Sequence, residues 1–196
     1  TSISMAASQV EEIIQANPEV VVIIDEAYVD FGGETVLPLI QKYDNLLVVR
    51  TYSKSRSMAG MRIGYAMGNE ALIEAMNDVK ESINSYTMNT ESIRIGAAAL
   101  EDEEYFQEHL KKVMATRERT KEALEAMGFD VKESRTNFLF AAHESVPAKE
   151  IFEALKRQGI YVRYFNKEKI SNYLRITIGT EEQMELFLRA LETILH

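Results

Sequence analysis

The apolar positions change period several times along the chain, and each change predicts an element boundary. Between Met5 and Ala16, Val10, Ile13 and Ile14 share one face of a helix, which Asn17-Pro18 ends. Val20–Ile24 (VVVII) is then an unbroken β-branched run, the pattern of a strand buried on both faces. It leads straight into Asp25 and Glu26. Carboxylates are rarely buried without a partner, so a positive group is expected at the end of this strand. Gly32-Gly33 marks a turn, Thr35–Tyr43 a short helix, and LLVVRT (Leu46–Thr51) a second strand. A third strand is predicted over Arg62–Met67. A helix over Glu70–Ser82 follows, with Leu72, Ile73, Ala75, Met76 and Val79 on its apolar side.

Strands separated by helices predict an α/β fold, a mostly parallel sheet with helices on both faces. Ligands of such sheets gather at the carboxyl ends of strands. Asp25, Tyr28, Ser53 and Lys54 fall at such ends. The second half has a different pattern. Asn89–Leu100 is Ala-rich and helical, and Asp102–Met127 reads as a long charged helix stopped by Gly128. Strand-like Asp130–Ala141, Tyr161–Phe165 and Tyr173–Ile178 alternate with helices Pro147–Gln158 and Glu181–Leu195. Thr180, followed by Glu181 and Glu182, supplies N-cap chemistry for the last helix. This predicts a small α+β domain joined near Ile83–Met88, so the expected division is 1–84 and 85–196.

Composition narrows the function. A net charge of -9 over 196 residues argues against nucleic acid or an anionic membrane as a bulk partner. The absence of cysteine excludes disulfides, thiolate metal sites and cysteine nucleophiles, and fits a reducing cytoplasm. The three histidines, His109, His143 and His196, are too dispersed for a metal-ligand pair. No segment has the length of a membrane span or the pattern of a signal peptide. The chain opens at Thr1, without Met, directly before its first helix, as a piece of something longer would.

The densest chemistry lies in TYSKSRSMAGMRIGY, Thr51–Tyr65. Hydroxyls and cations gathered after a strand suit an anion such as phosphate. A lysine placed there can also act as a nucleophile toward an aldehyde. The same loop reads equally as a solvated basic surface. An apolar strand ending in Asp-Glu also occurs in P-loop ATPases. That reading requires a G-x-x-x-x-G-K-[ST] loop, which these residues lack, and it survives only if one precedes Thr1.

In order along the chain, DEAY (Asp25–Tyr28), SK (Ser53-Lys54), AGMRIGY (Ala59–Tyr65), TNFLF (Thr136–Phe140) and YLRITIG (Tyr173–Gly179) resemble the signature of fold-type I pyridoxal-phosphate aminotransferases. The likeness is greatest to the histidinol-phosphate aminotransferase branch and covers essentially the whole chain, as the C-terminal half of that family. It implies part of a large cofactor-binding domain over 1–84 and a small domain with an interdomain helix over 85–196. It also implies pyridoxal 5'-phosphate as cofactor and a homodimer. The expected reaction is amino transfer between histidinol phosphate and 2-oxoglutarate.

On this resemblance Asp25 faces the pyridine nitrogen, and Tyr28 donates to the ring's phenolic oxygen. Lys54 carries the cofactor and moves the substrate α-proton, while Ser53 and Arg62 hold the phosphate. Arg175 clamps the substrate α-carboxylate, and Arg163 faces the substrate phosphate. From the residues alone, Arg175 also reads as the partner of a carboxylate on the sheet, Arg163 as a surface-strand arginine, and Glu26 as structural, paired to a local cation. Arg56-Ser57 departs from the family's commoner aromatic-glycine pair. The family's first half holds further cofactor contacts that do not lie in these residues. Three alternatives stay open: an aromatic aminotransferase, a threonine-phosphate decarboxylase, or a catalytically incomplete chain.

Overall fold

The computed structural model describes residues 2–195. They form two compact units, Ser4–Glu108 and a second made of His109 onward with the N-terminal segment up to Ile3. Ser2 joins the second unit through its Oγ, which donates to the Glu133 carbonyl, and its own carbonyl, which accepts from Arg135 N.

The first unit begins with α1 (Ala7–Ala16), followed by β1 (Val22–Asp25), β2 (Leu46–Thr51) and β3 (Gly64–Gly68), in sheet order β1-β2-β3. Val10 and Ile14 of α1 are buried against Val36, Leu46 and Val48, with Val22 and Ile24 packed beside them. This face of the sheet is therefore a true core. The other face of β1 is bare: Val21 is 47% and Ile23 60% exposed. The two-faced burial read from VVVII is thus met on one face only, because no described layer covers the second.

β1 and β2 pair in parallel, with Asp25 opposite Val49. β3 pairs antiparallel to β2, so the sheet is mixed. A parallel return needs a crossover, usually a helix, and the Tyr52–Ile63 link holds only a short 3-10 turn at Ala59–Met61. The predicted helix at Thr35–Tyr43 is likewise a 3-10 turn, Leu37–Gln41, with Pro38 in its first turn. Arg62, expected to open the third strand, instead has a left-handed backbone (φ 56) just before it.

Next come α2 (Glu70–Asn84), α3 (Thr90–Glu101) and α4 (Glu103–Ala126). Asn69 and Asn89 cap α2 and α3 through their side chains. In α3, Ser92 and Gly96 are buried. Ser92 Oγ donates to the Met61 carbonyl at 2.8 Å, and a Cβ on Gly96 would lie 2.8 Å from Ile63 Cδ1. A small-residue face thus seats α3 on the loop that follows β2.

In the second unit α4 stops before Gly128, whose φ of 86 favours glycine. β4 (Phe129–Val131), β5 (Phe138–His143), β6 (Arg163–Tyr164) and β7 (Leu174–Thr177) make an antiparallel sheet of order β4-β5-β7-β6. α5 (Ala148–Arg157) and α6 (Glu181–Leu195) complete a core around Leu139, Ile151, Leu155, Leu174 and Leu191. This unit is α+β, and its division from the first lies between Glu108 and His109. The predicted strand Asp130–Ala141 is two strands, because Ser134 and Thr136 turn their hydroxyls onto the Phe138 carbonyl and fold the chain between them. Thr180 and Gln183 close a reciprocal capping box on α6.

Candidate active site

Strand alternation sends Asp25 and Glu26 to opposite faces. Glu26 points to the α1 side and is buried. Its Oε2 accepts from Arg50 Nε (3.0 Å) and Nη2 (2.8 Å), and its Oε1 accepts from Val36 N (2.6 Å). Thr35 Oγ1 lies 3.0 and 2.8 Å from the two carboxylate oxygens and receives Arg50 Nη2 at 2.8 Å. Burial pulls the Arg50 guanidinium down, but Glu26 overrides it and holds the group above its ordinary value. Arg50 is the positive group that the sequence led us to expect at the end of the strand. It answers Glu26, not Asp25.

Asp25 takes the exposed face. Its Oδ1 accepts from Ala27 N at 2.9 Å, and its Oδ2 makes no hydrogen bond among the described residues. Three residues on, Tyr28 caps the 3-10 turn Val29–Phe31. The Lys54 ammonium lies 5.5 Å from the centre of the Tyr28 ring. Lys54 is half-buried and makes no ion pair or hydrogen bond among the described residues. The structure therefore brings Tyr28 and Lys54 together, beyond the adjacent parallel strands β1 and β2.

The lysine loop is tightly made. Ser57 N donates to the Lys54 carbonyl and Met58 N to the Tyr52 carbonyl, both at 3.0 Å, and Ser57 is left-handed (φ 55). Ser53 N bonds Thr51 Oγ1 at 3.0 Å. Arg62 is exposed, with Nη1 on the Ala59 carbonyl at 2.9 Å. Arg56 does not replace an aromatic with a solvated charge. Its guanidinium sits 3.9 Å from the Phe106 ring centre and 5.6 Å from that of Tyr52, bonds the Ala99 carbonyl, and lies 3.8 Å from Glu103. Burial raises the Tyr52 phenol above its ordinary value, and the Arg56 charge offsets part of that rise.

In the second unit, Arg163 and Arg175 are direct cross-strand partners. Like charges in that position repel. Both guanidiniums lie near Phe165, at 5.6 and 6.0 Å from its ring centre, and Arg175 also stands 5.3 Å from that of Phe138. Arg175 Nε is buried with no hydrogen-bond partner among the described residues. An unmet buried donor of a charged group costs on the order of 1–3 kcal/mol or more. The reading of Arg175 as the partner of a carboxylate on the sheet is therefore not met.

Sequence reasoning placed the lone groups but not their supports. The Arg50–Thr35–Glu26 cluster had one visible signal, a cation inside an apolar strand whose parity matches the core side of β2. The anchoring of Arg56 had none, since it depends on which segments fold against the loop.

Residues 1–191 match the profile of the aminotransferase class I and II family, and the chain belongs to that family. Among its relatives is a histidinol-phosphate aminotransferase of Clostridium beijerinckii, 50% identical over 185 residues, covering 94% of this chain and 52% of that protein. That of Brachyspira hyodysenteriae is 47% identical over 196 residues, covering 100% and 55%. The solved histidinol-phosphate aminotransferase of Sinorhizobium meliloti in complex with pyridoxal-5'-phosphate superposes with a TM-score of 0.88. It is 25% identical and covers 100% of this chain and 54% of that one. The chain thus spans about half the length of the curated relatives it matches.

Proposed function

We propose that the protein carrying this chain transfers an amino group between histidinol phosphate and 2-oxoglutarate with pyridoxal 5'-phosphate as cofactor. The observation that carries the reading is the half-buried Lys54 amine over Tyr28, without an ion pair or hydrogen bond among the described residues, in the loop after the strand that pairs with the one ending in Asp25. The family match and the relatives' names support the reaction and the donor. They favour this donor over an aromatic amino acid or threonine phosphate.

The residues fit the cofactor: among the described residues, Asp25 keeps an uncommitted carboxylate oxygen and Lys54 an uncommitted amine. When bound, pyridoxal 5'-phosphate supplies a protonated ring that accepts the electron pair left at the substrate α-carbon. In this proposal the Asp25 charge keeps the proton on the ring nitrogen, and the Tyr28 hydroxyl donates to the phenolic oxygen. The Lys54 amine would hold the cofactor until substrate arrives, then take the proton from the substrate α-carbon and deliver it to the cofactor. Ser53 and Arg62 hold the cofactor phosphate, the Arg62 fork retaining donors beyond its one bond to Ala59. The Glu26–Arg50 cluster pins the strand end from the opposite face, so Asp25 is presented by a fixed backbone.

Arg175 serves as the clamp on the carboxylate of the amino acid and oxo-acid partners, its unmet Nε awaiting an anion. Arg163 meets the donor's phosphate. A dianion between two opposed guanidiniums would relieve their repulsion. The same proposal assigns residues 1–84 to the large cofactor-binding domain and 85–196 to the small one. The active form would be a homodimer.

The test is substrate profiling of a full-length protein carrying this sequence. Histidinol phosphate should be the preferred donor to 2-oxoglutarate, well ahead of phenylalanine. Equal or better use of phenylalanine, or release of carbon dioxide from threonine phosphate, would overturn the donor assignment.

A further inference from the structure

Lys54 is held by a loop whose own side chains are anchored on both sides of it, and one anchor comes from the segment that carries Tyr28. Asp30 lies in the 3-10 turn Val29–Phe31, which Tyr28 caps and the buried Phe31 fixes to the core. Its Oδ2 accepts from Ser55 Oγ at 2.6 Å, the length of a charge-assisted O–H···O⁻ bond. Ser55 is 2% exposed and directly follows Lys54. Asp30 makes no ion pair among the described residues, so its carboxylate is committed to this hydroxyl alone.

We infer that Asp30 is a positioning residue for Lys54, acting through the buried hydroxyl of Ser55. The inference rests on the proposed role of Lys54 and adds a residue to it. The backbone turn closed by Ser57 N on the Lys54 carbonyl limits the loop's shape but does not tie it to the Tyr28 segment. The Arg56 anchor runs to Ala99 and Phe106, away from that segment. The Asp30–Ser55 bond links the peptide next to Lys54 directly with the turn next to Tyr28, and so helps to fix the separation of the amine and the phenol ring. A misplacement of about 1 Å at a reacting group can cost on the order of a hundredfold in rate.

The experiment compares Asp30→Ala, Asp30→Asn and Ser55→Ala with the parent full-length protein. Each is exposed to pyridoxal 5'-phosphate, reduced with borohydride over a time course, and mapped by mass spectrometry. Amide hydrogen exchange is followed separately without cofactor. In D30A and S55A, labelling of Lys54 should slow by about 10- to 100-fold, while labelling of the exposed Lys80 holds. D30N keeps an acceptor for the Ser55 hydroxyl and should stay near the parent. The Ser57 and Met58 amides should exchange faster in D30A and S55A, with those of Glu26 and Val36 unchanged.

Unchanged Lys54 labelling beside a well-labelled parent would overturn the inference. So would faster exchange spread through Val36, which marks general loosening, or a D30N as slow as D30A. A parent that takes no label at Lys54 would instead sink the proposed function. The exchange data would then decide the anchor: local loosening at Ser57 and Met58 supports it, and none refutes it.

Discussion

Glu26→Gln is the substitution whose cost the structure fixes most closely. The side chain of Glu26 is 5% exposed and that of Arg50 19%. Every neighbour of the carboxylate is a donor: the Arg50 fork and Val36 N–H on its two oxygens, and the Thr35 hydroxyl between them. Glutamine keeps the volume but offers one oxygen and one NH2. Whichever way it turns, its NH2 must face either the guanidinium or the Val36 amide, so one donor is left opposed to another. Arg50 also loses its counter-charge in a mostly buried place. Breaking a buried pair from one side costs about 3–5 kcal/mol.

Denaturant unfolding of the full-length protein should show a loss of that size, with the Val36 amide exchanging faster. Replacing both partners, as Glu26→Gln with Arg50→Met, should recover part of it, because no uncompensated guanidinium is left while the glutamine oxygen still accepts from Val36 N. A loss below about 1 kcal/mol, as for an exposed pair, or a double variant as weak as the single, would refute the assignment of a buried, mutually dependent cluster.

Asp25→Asn should keep the cofactor yet slow α-proton removal by about 10²- to 10³-fold. The check is exchange of the substrate α-hydrogen, and an unchanged rate would remove the ring-charge account. Arg175→Lys should raise KM for every carboxylate substrate, because the fork is lost; a change confined to one substrate would mean a side-chain contact instead. On the surface, Glu11 is held below its ordinary value by the Lys42 hydrogen bond and then by Tyr43. Lys42 is pushed up to about 12 by Glu11 and Tyr43. The lowered carboxyl stabilises above its ordinary 4.5 and loses that on acidification. The raised amine stabilises below its ordinary 10.5 and loses that as pH climbs to about 12. The gap in thermal midpoint between the parent and Glu11→Gln should therefore be widest at neutral pH and close at both extremes; a constant gap would contradict the pairing.

The chain's hydrophobic periods made most elements legible. LLVVRT is β2 and Glu181–Leu195 is α6, residue for residue. The errors share a cause: apolarity without local closure. VVVII read as buried on both sides because sequence records the apolar run but not whether a layer lies over it. Asp130–Ala141 read as one strand because Ser134 and Thr136 fold the chain by hydroxyl bonds that alternation does not register. At the site, Asp25, Tyr28 and Lys54 were visible as residue types at strand ends. Of their supports, Glu26 was legible as paired to a local cation, but neither its partner Arg50 nor the Asp30–Ser55 contact was, since these join segments far apart in the chain and only the fold sets which donors meet which acceptors.

The central claim is that Lys54 is the amine that holds the cofactor. Full-length protein incubated with pyridoxal 5'-phosphate, reduced with borohydride and digested should yield one dominant labelled peptide, with the label on Lys54 and none in Lys54→Ala. A label spread over surface lysines, or dominant at another lysine, would contradict the account.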